Sequence, residues 1–244
     1  MLDKAFVQQQ WGQWLNDNCY SSWYGFSRMG FNVKPFEMKD IETMGLTKET
    51  IVHGGIKSVR QCFDILGVEQ PPIHNPQDYL KDYCNRDFHL STIGEINTTY
   101  GPYPIFIKPL TNHKLFTGFV IKNEMDKGRL YGLEPRTDLL VSSYVEMVSE
   151  YRCFIHRGKL VGSKNYTGDF TKNIDYNIVN QAIKDYKDQP IGYSLDFAVT
   201  DKGETMLIEI NDGFALGAYG LNPITYCKII MDRWNQIVNN NIWI

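Results

Sequence analysis

The 244-residue sequence lacks the features that define several common protein classes. It contains no apolar run of about 18 residues, the length that suggests a membrane-spanning helix. Its first residues show no basic segment followed by a continuous apolar stretch, which is the pattern of a secretory signal. No Gly-x-Gly-x-x-Gly or Walker sequence is present, and no Ser–His or Cys–His set stands out as a nucleophile with its base. We therefore expect a cytoplasmic protein that uses neither a P-loop nor a covalent nucleophile.

The few cysteines and the small net charge also exclude some classes of site and partner. The five cysteines are widely spaced and include no C-x-x-C pair, so a zinc knuckle or a compact disulfide framework is excluded. We expect reduced core residues instead. The net charge of −3 gives no general reason to bind a membrane surface or nucleic acid, although a local basic patch stays compatible with it. The sequence says nothing firm about oligomeric state.

The order of periodic segments predicts an α/β (α+β) chain. Short apolar runs alternate with helical patterns up to residue 67, and the proline-bearing segment 67–79 is predicted to be a linker. Two hairpins are predicted further on, one turning at Arg157 and Gly158 and one at 201–203. The other predicted strands and helices are strands at 5–10, 32–38, 50–54, 104–110, 116–123 and 139–147, and helices at 18–30, 55–67, 173–188 and 223–238.

The second hairpin, "LDFAVTDKGETMLIEIND", carries polar residues where a buried strand is expected. Pairing around Lys202 places Asp196 opposite Glu209, and the two-residue period puts Asn211 on the face of Glu209. Facing carboxylates repel, so this arrangement requires a cation between them or a proton on one. Carboxylate and amide oxygens suit Mg²⁺. The alternative is a solvated hairpin face with ordinary acids.

Several motifs in a fixed order resemble the ATP-grasp superfamily. The order is a strand with Lys108 in "YPIFIKPL", then "SSYVEMVSEYRCFI", then Asp196, then "EIN" 13 residues later. The stretches "EINDGFALGAYGL" and "KPLTNHKLFTG" further resemble a branch found in bacteria and phages that is named for one arginine and two lysines. The motifs cover residues 100–221, and residues 5–70 resemble the small preceding domain more loosely.

The resemblance implies a fold and a domain plan. It implies a Rossmann-like pre-ATP-grasp domain at 1–75, a central lobe with the lid at 76–146 and a C-terminal lobe with the magnesium site at 147–244. The two α+β lobes of such a fold enclose ATP.

The resemblance also implies roles in nucleotide binding. Lys108 would contact the α and β phosphates, and Lys114 would lie in the loop that folds over the triphosphate. Glu150 would accept hydrogen bonds from the ribose hydroxyls. The connector between the lobes would bind the adenine edge through its backbone, and its residues are Tyr144, Val145 and Glu146. The alternative for Lys108 is a surface lysine that extends to solvent.

The metal and catalytic roles follow from the same resemblance. Asp196 and Glu209 would hold Mg²⁺, with Glu209 bridging two ions and Asn211 completing the second site. Mn²⁺ is an alternative ion. Arg152 and Lys164 would stabilise the transferring phosphoryl group, with surface ion pairs as their alternative role.

The implied activity is an ATP-dependent ligase that joins a carboxylate to an amine. The carboxylate would attack the γ-phosphoryl group to give an acylphosphate and ADP, and the amine would then displace phosphate. The carboxylate belongs to a small molecule or a peptide. The alternatives are an ATP-grasp phosphotransferase and a nucleotide-binding interaction module without ligase chemistry. The glycine-rich loop after Asn211 is either a tight turn or part of the acceptor pocket, with Asp212 available to an amine.

Overall fold

A computed structural model describes residues 3–110 and 115–239. The chain forms two compact units, one made of Met1–Tyr83 with Val148–Ile244 and one made of Cys84–Met147. Within the described ranges, no helix has both the length and the apolar character that a bilayer span requires.

The first sheet of unit 1 is Rossmann-like, because its central strand pairs in parallel with two others. The elements are β1 (Lys4–Gln10), β2 (Gln13–Trp14), α1 (Asp17–Arg28), β3 (Asn32–Phe36), β4 (Thr50–His53), α2 (Ile56–Ile65) and α3 (Pro76–Tyr79). β1 pairs in parallel with β3 and β4 and in antiparallel fashion with the short β2. Asn16 caps α1 by accepting a hydrogen bond from the Cys19 N–H.

Unit 2 is built on an antiparallel sheet. Its elements are β5 (Phe88–Thr92), α4 (Ile93–Thr98), β6 (Ile105–Pro109), β7 (Phe119–Ile121) and β8 (Asp138–Ser143). The strand order is β5-β8-β6-β7. One face packs against α4 and a 3₁₀ helix at Glu124–Leu130 through a core that includes Ile107, Val141 and Leu130.

The second sheet of unit 1 contains both predicted hairpins. The elements are β9 (Met147–His156), β10 (Lys159–Gly168), α5 (Tyr176–Asp185), β11 (Gly192–Thr200) and β12 (Thr205–Asp212). The strand order is β10-β9-β11-β12. The first hairpin turns at Arg157 and Gly158 as predicted, and both residues have positive φ angles.

The last helix, α6 (Pro223–Val238), joins the N-terminal sheet into one core with the C-terminal part of unit 1. It packs on α1 so closely that a Cβ at Gly25 would lie 2.4 Å from the Pro223 carbonyl oxygen. The stripe predicted from its sequence is buried, and its residues are Cys227, Ile230, Trp234 and Ile237. The five cysteines are buried as well.

The sequence misses several short elements of the structure. β2, β5 and α4 have no counterpart among the predicted elements, and the predicted linker ends in the single helical turn α3. The division into domains at residues 75 and 146 stays a prediction. Each of the three predicted parts contains one of the three sheets.

Candidate functional site

The predicted site residues lie in both units. Those in unit 1 are Glu150 and Arg152 on β9, Lys164 on β10, Asp196 on β11, and Glu209 and Asn211 on β12. Those in unit 2 are Lys108 on β6 and the segment Tyr144, Val145 and Glu146. Lys114 lies outside the described residues.

The register of the second hairpin places Asp196 opposite Glu209, as predicted. A bulge follows, because Phe197 pairs with Leu207 and leaves Ile208 as the extra residue. Asp196 is 1% exposed, whereas Glu209 is exposed. The hairpin thus presents one buried and one accessible carboxylate side by side.

The cation that the facing acids require comes from the chain itself. Arg152 Nε donates to Asp196 Oδ1 at 2.9 Å, and Nη2 donates to Oδ2 at 2.6 Å. Both side chains are buried, so this is an interior two-bond ion pair. The sheet order explains the contact, since β9 and β11 are neighbours.

Burial and charge act in opposite directions on this pair. Burial raises the pKa of Asp196 to about 6, although the hydrogen bonds and positive charge of Arg152 oppose the rise. Burial alone would lower the pKa of Arg152, but the hydrogen bonds and charge of Asp196 outweigh it, and the pKa is raised. Near neutral pH the pair is therefore ionised, and the positive charge of Arg152 is fixed next to the acids.

Asn211 shows that the two carboxylates converge. Its Nδ2 donates to Asp196 Oδ2 and to Glu209 Oε2, both at 3.2 Å. Among residues 3–110 and 115–239, no group of three or more His, Cys, Asp or Glu side chains could hold a metal ion. The possible metal donors here are the carboxylates of Asp196 and Glu209 and the side-chain amide of Asn211. That set is compatible with Mg²⁺, which takes one or two protein carboxylates and completes its shell with waters and phosphates.

Glu150 and Lys164 flank Arg152 in the same sheet. Lys164 pairs with Arg152 across β9 and β10, so both side chains lie on one face, and Lys164 is half-buried. Glu150 Oε2 accepts a hydrogen bond from the Tyr166 hydroxyl at 2.7 Å. Tyr166 stacks on Tyr219, with ring centroids 4.9 Å apart.

Asp212 is already paired. Arg233 Nε donates to Asp212 Oδ1 at 2.8 Å, and Nη2 donates to Oδ2 at 2.5 Å. The Phe214 N–H also donates to Oδ1. These bonds favour the tight-turn alternative for Asp212, because its oxygens already close the turn after β12 and tie it to α6.

In unit 2, Lys108 lies on β6 opposite Leu140 of β8 and is half-buried. Tyr144, Val145 and Glu146 lie outside any strand or helix, so their backbone groups are not committed to a sheet ladder. That leaves them suited to hydrogen-bond an external edge.

A family model now identifies the chain. The model describes an ATP-grasp domain, family 2 of the clade named for one arginine and two lysines, and it matches residues 83–229. The chain belongs to this ATP-grasp family. The match covers both sheets that carry the predicted site residues, and the resemblance drawn from the motifs is confirmed.

Solved structures show that the fold is that of ATP-grasp proteins. The D-alanine–D-alanine ligase from Bacillus anthracis is 14% identical with a TM-score of 0.58, over 97% of this chain and 98% of that chain. The L-amino acid ligase from Bacillus licheniformis is 9% identical with a TM-score of 0.62, over 98% and 76%. The N5-carboxyaminoimidazole synthetase from Staphylococcus aureus, complexed with ADP, is 12% identical with a TM-score of 0.58, over 96% and 77%. No curated protein matches the chain by sequence.

One basic residue of the ATP-grasp domain was missed from the sequence. The Arg86 guanidinium lies 5.2 Å from the Phe88 ring and 5.8 Å from the Phe106 ring. Burial lowers the pKa of Arg86, and its Nε is buried without a hydrogen-bond partner among the described residues. Ser142 pairs with both Phe88 and Phe106, so it lies between the two rings, and its hydroxyl is likewise buried and unpaired among those residues.

Ser142 and the two rings near Arg86 lie on the same face of the unit 2 sheet as Lys108. Phe106 and Lys108 are two residues apart on β6, so their side chains point to the same side of the sheet. Arg86 is half-buried, and a buried Nε without an acceptor is costly unless an anion joins it. The sequence signal was the "NRDF" stretch before β5, but a lone arginine outside any motif carried no expectation.

Proposed function

We propose that this ATP-grasp chain is a ligase that uses ATP to join a carboxylate to an amine. The observation that carries the proposal is the cluster of Arg152, Asp196, Glu209 and Asn211. It fixes a buried positive charge beside two convergent carboxylates, one of which is exposed. Such an arrangement suits stabilisation of charge on a moving phosphoryl group and supplies no covalent nucleophile.

ATP is the nucleotide, and each unit offers candidate residues for it. In unit 2, Lys108 and Arg86 contact phosphate oxygens, and a phosphate oxygen accepts the hydrogen bond that the Arg86 Nε makes to no described residue. The backbone of 144–146 meets the adenine edge. Glu150 accepts from the ribose hydroxyls through Oε1, because Tyr166 occupies Oε2. Lys114 stays a sequence-based candidate for the same triphosphate.

Asp196, Glu209 and Asn211 are the residues that would hold Mg²⁺. When bound, the metal neutralises charge on the transferring phosphoryl group. Glu209 is the most exposed of the three, so it would be the residue best able to take part in binding a second ion. Asp196 has fewer lone pairs available for a metal ion, because its oxygens already accept hydrogen bonds from Arg152 and Asn211.

The reaction proceeds in two displacements. A carboxylate oxygen attacks the γ-phosphorus of ATP, the bond to the β-phosphate oxygen breaks, and ADP leaves. The amine nitrogen then attacks the acyl carbon, the bond to phosphate breaks, and the amine loses a proton. Arg152 and Lys164 stabilise the phosphoryl group in both steps, Arg152 through a fixed guanidinium and Lys164 as a point charge.

Oxygen transfer tests this proposal. The protein is incubated with ATP, Mg²⁺ and a pooled extract of small carboxylic acids and amines, and condensation products are sought by mass spectrometry. The acid identified in this way is then labelled with ¹⁸O in its carboxylate. We expect one ¹⁸O in the released phosphate and a new amide in equal amounts.

Other outcomes point elsewhere. A phosphorylated product together with ADP, and no amide, would indicate a phosphotransferase. An amide without ¹⁸O in phosphate would exclude the acylphosphate. ATP binding without formation of ADP would favour a binding module. The Glu209→Gln variant is the matched negative control, because a change at this exposed position is expected to keep the fold and to remove one proposed metal ligand.

A further inference from the structure

Arg152 keeps one nitrogen out of its ion pair. Nε and Nη2 are bonded to Asp196, whereas Nη1 makes no hydrogen bond to another residue within 3–110 and 115–239. It is also not among the unpaired nitrogens that are fully removed from solvent. The Nη1 edge of an otherwise buried guanidinium therefore remains open to a ligand.

Two stacked tyrosines stand beside this open edge. The Arg152 Cζ lies 4.8 Å from the Tyr219 ring centroid and 5.9 Å from that of Tyr166. The two rings are 4.9 Å apart and inclined by only 23°. Since Arg152 is near both rings, it lies at the side of the stack and not on the outer face of Tyr219. About half of Tyr219 is exposed.

The loop that carries Tyr219 is fixed in place on both sides of Gly217. The Tyr226 hydroxyl donates to the Leu216 carbonyl at 2.6 Å, and the Ala218 N–H donates to Asn18 Oδ1 at 2.8 Å. A Cβ on Gly217 would lie 3.4 Å from Arg152 Nη1, so glycine keeps the space next to that edge open.

Tyr219 itself adopts an uncommon backbone conformation. Its φ of 43° is in the left-handed region that non-glycine residues rarely occupy. The stacking on Tyr166 and the fixed loop offset this cost, and the result is a ring held beside Arg152.

We propose that Tyr219, supported by Tyr166, selects the carboxylate substrate of the ligase. The carboxylate binds the Nη1 edge of Arg152, and the body of the acid lies against the exposed part of Tyr219. This geometry favours an acid with a planar or apolar group next to its carboxylate over a small aliphatic acid. The inference rests on the proposed ligase function and names a substrate class for it.

Binding of two simple acids tests the inference without knowledge of the natural substrate. Benzoate and acetate are titrated separately into full-length protein that contains ADP and Mg²⁺. The signals of the Arg152 side chain are followed by ¹⁵N NMR and assigned with Arg152→Lys. We expect saturable shifts with both acids and roughly fivefold tighter binding of benzoate, the scale of one aromatic contact.

Variants separate selection from simple charge attraction. Tyr219→Ala should bind acetate as the parent does and lose the preference for benzoate, whereas Tyr219→Phe should keep it. Tyr176→Ala is the control, because Tyr176 is a similarly exposed tyrosine on α5. ADP affinity, measured in the same samples, should stay unchanged.

Two results would overturn the inference. One is equal binding of benzoate by the parent and by Tyr219→Ala, and the other is the absence of any shift at Arg152 with either acid. Neither bears on whether ADP binds or whether an amide forms, so the ligase proposal is judged separately by the oxygen-transfer experiment.

Discussion

Arg152 and Asp196 lie 44 residues apart in the chain and form a two-bond ion pair between the neighbouring strands β9 and β11. The pair changes how the acidic hairpin is understood. A cation or a proton was required between Asp196 and Glu209, and the arginine provides the cation before any metal binds. Asp196 is therefore a structural residue as well as a candidate metal ligand. Glu209 is a candidate metal ligand that does not pair with Arg152.

The two acids should respond differently to neutralisation. Asp196→Asn leaves Arg152 buried with its charge uncompensated, and we expect a loss of about 3 kcal/mol in the free energy of unfolding. Glu209→Gln changes an exposed side chain, so its effect should stay within about 0.5 kcal/mol. Urea denaturation followed by circular dichroism gives both values.

Turnover provides the second half of this comparison. Glu209→Gln should reduce phosphate release by roughly a hundredfold, the scale of losing one preorganised electrostatic partner. Its nucleotide affinity should change much less. Normal phosphate release by a fully folded Glu209→Gln protein would show that the hairpin acids do not hold a catalytic metal.

ATP affinity should depend on Lys108 and Arg86 of unit 2. Lys108→Ala and Arg86→Ala are each expected to weaken ATP binding by about 1.5 to 3 kcal/mol, the range for a hydrogen bond to a charged group. Calorimetry with ATP and Mg²⁺ measures this loss.

Arg86→Ala has a second signature. Its Nε is buried without a hydrogen-bond partner among the described residues, so removal of the side chain should leave the stability of the nucleotide-free protein unchanged or raise it. Lys122→Ala, at an exposed position of unit 2, is the control and should change neither quantity. A strongly destabilised Arg86→Ala would mean that the arginine supports the fold.

The proposed contact between Glu150 and the ribose can be tested with a nucleotide that lacks the ribose hydroxyls. Glu150→Gln should weaken ATP and leave a 2′,3′-dideoxy analogue almost unchanged, because only the first has hydroxyls to donate. Tyr166→Phe removes the hydrogen bond to Oε2, so Glu150 is less well oriented, and we expect a smaller effect of the same kind. Competition binding with both nucleotides measures the ratio. Equal weakening of ATP and of the dideoxy analogue would mean that Glu150 supports the fold and does not bind the ribose.

The parts of the site that the sequence predicted are those set by local spacing. The pairing of Asp196 with Glu209 follows from the hairpin turn, and the buried stripe of α6 follows from helical periodicity. The partner of Arg152 does not follow, because it depends on β9 lying beside β11 across an intervening helix.

Other residues escaped prediction because their surroundings are tertiary. The surroundings of Arg86 are formed by three neighbouring strands that bring Phe88, Ser142 and Phe106 together. Tyr219 is placed beside Arg152 by a left-handed backbone angle and by anchors from α1 and α6. Neither arrangement has a pattern in consecutive residues.

His53 should make the stability of the protein depend on pH. It ends β4, is fully buried, and its Nδ1 makes no hydrogen bond to a described residue. Burial lowers its pKa from 6.5 to about 4. Between these two pKa values His53 is protonated in the unfolded chain and neutral in the folded protein, so the free energy of unfolding falls as the pH falls. The full loss attributable to His53 is about 3 kcal/mol.

The comparison of two variants isolates this contribution from the other titrating groups. His53→Phe keeps a ring of similar size against Tyr226 and cannot take up a proton, so its unfolding free energy should fall less between pH 6.5 and pH 4 than that of the parent. His89→Gln alters an exposed histidine and should follow the parent. Urea titrations at several pH values across this range give the three curves. Parallel curves for the parent and His53→Phe would mean that His53 is protonated in the folded protein as readily as in the unfolded chain, because only a difference in proton affinity between the two states can produce a slope.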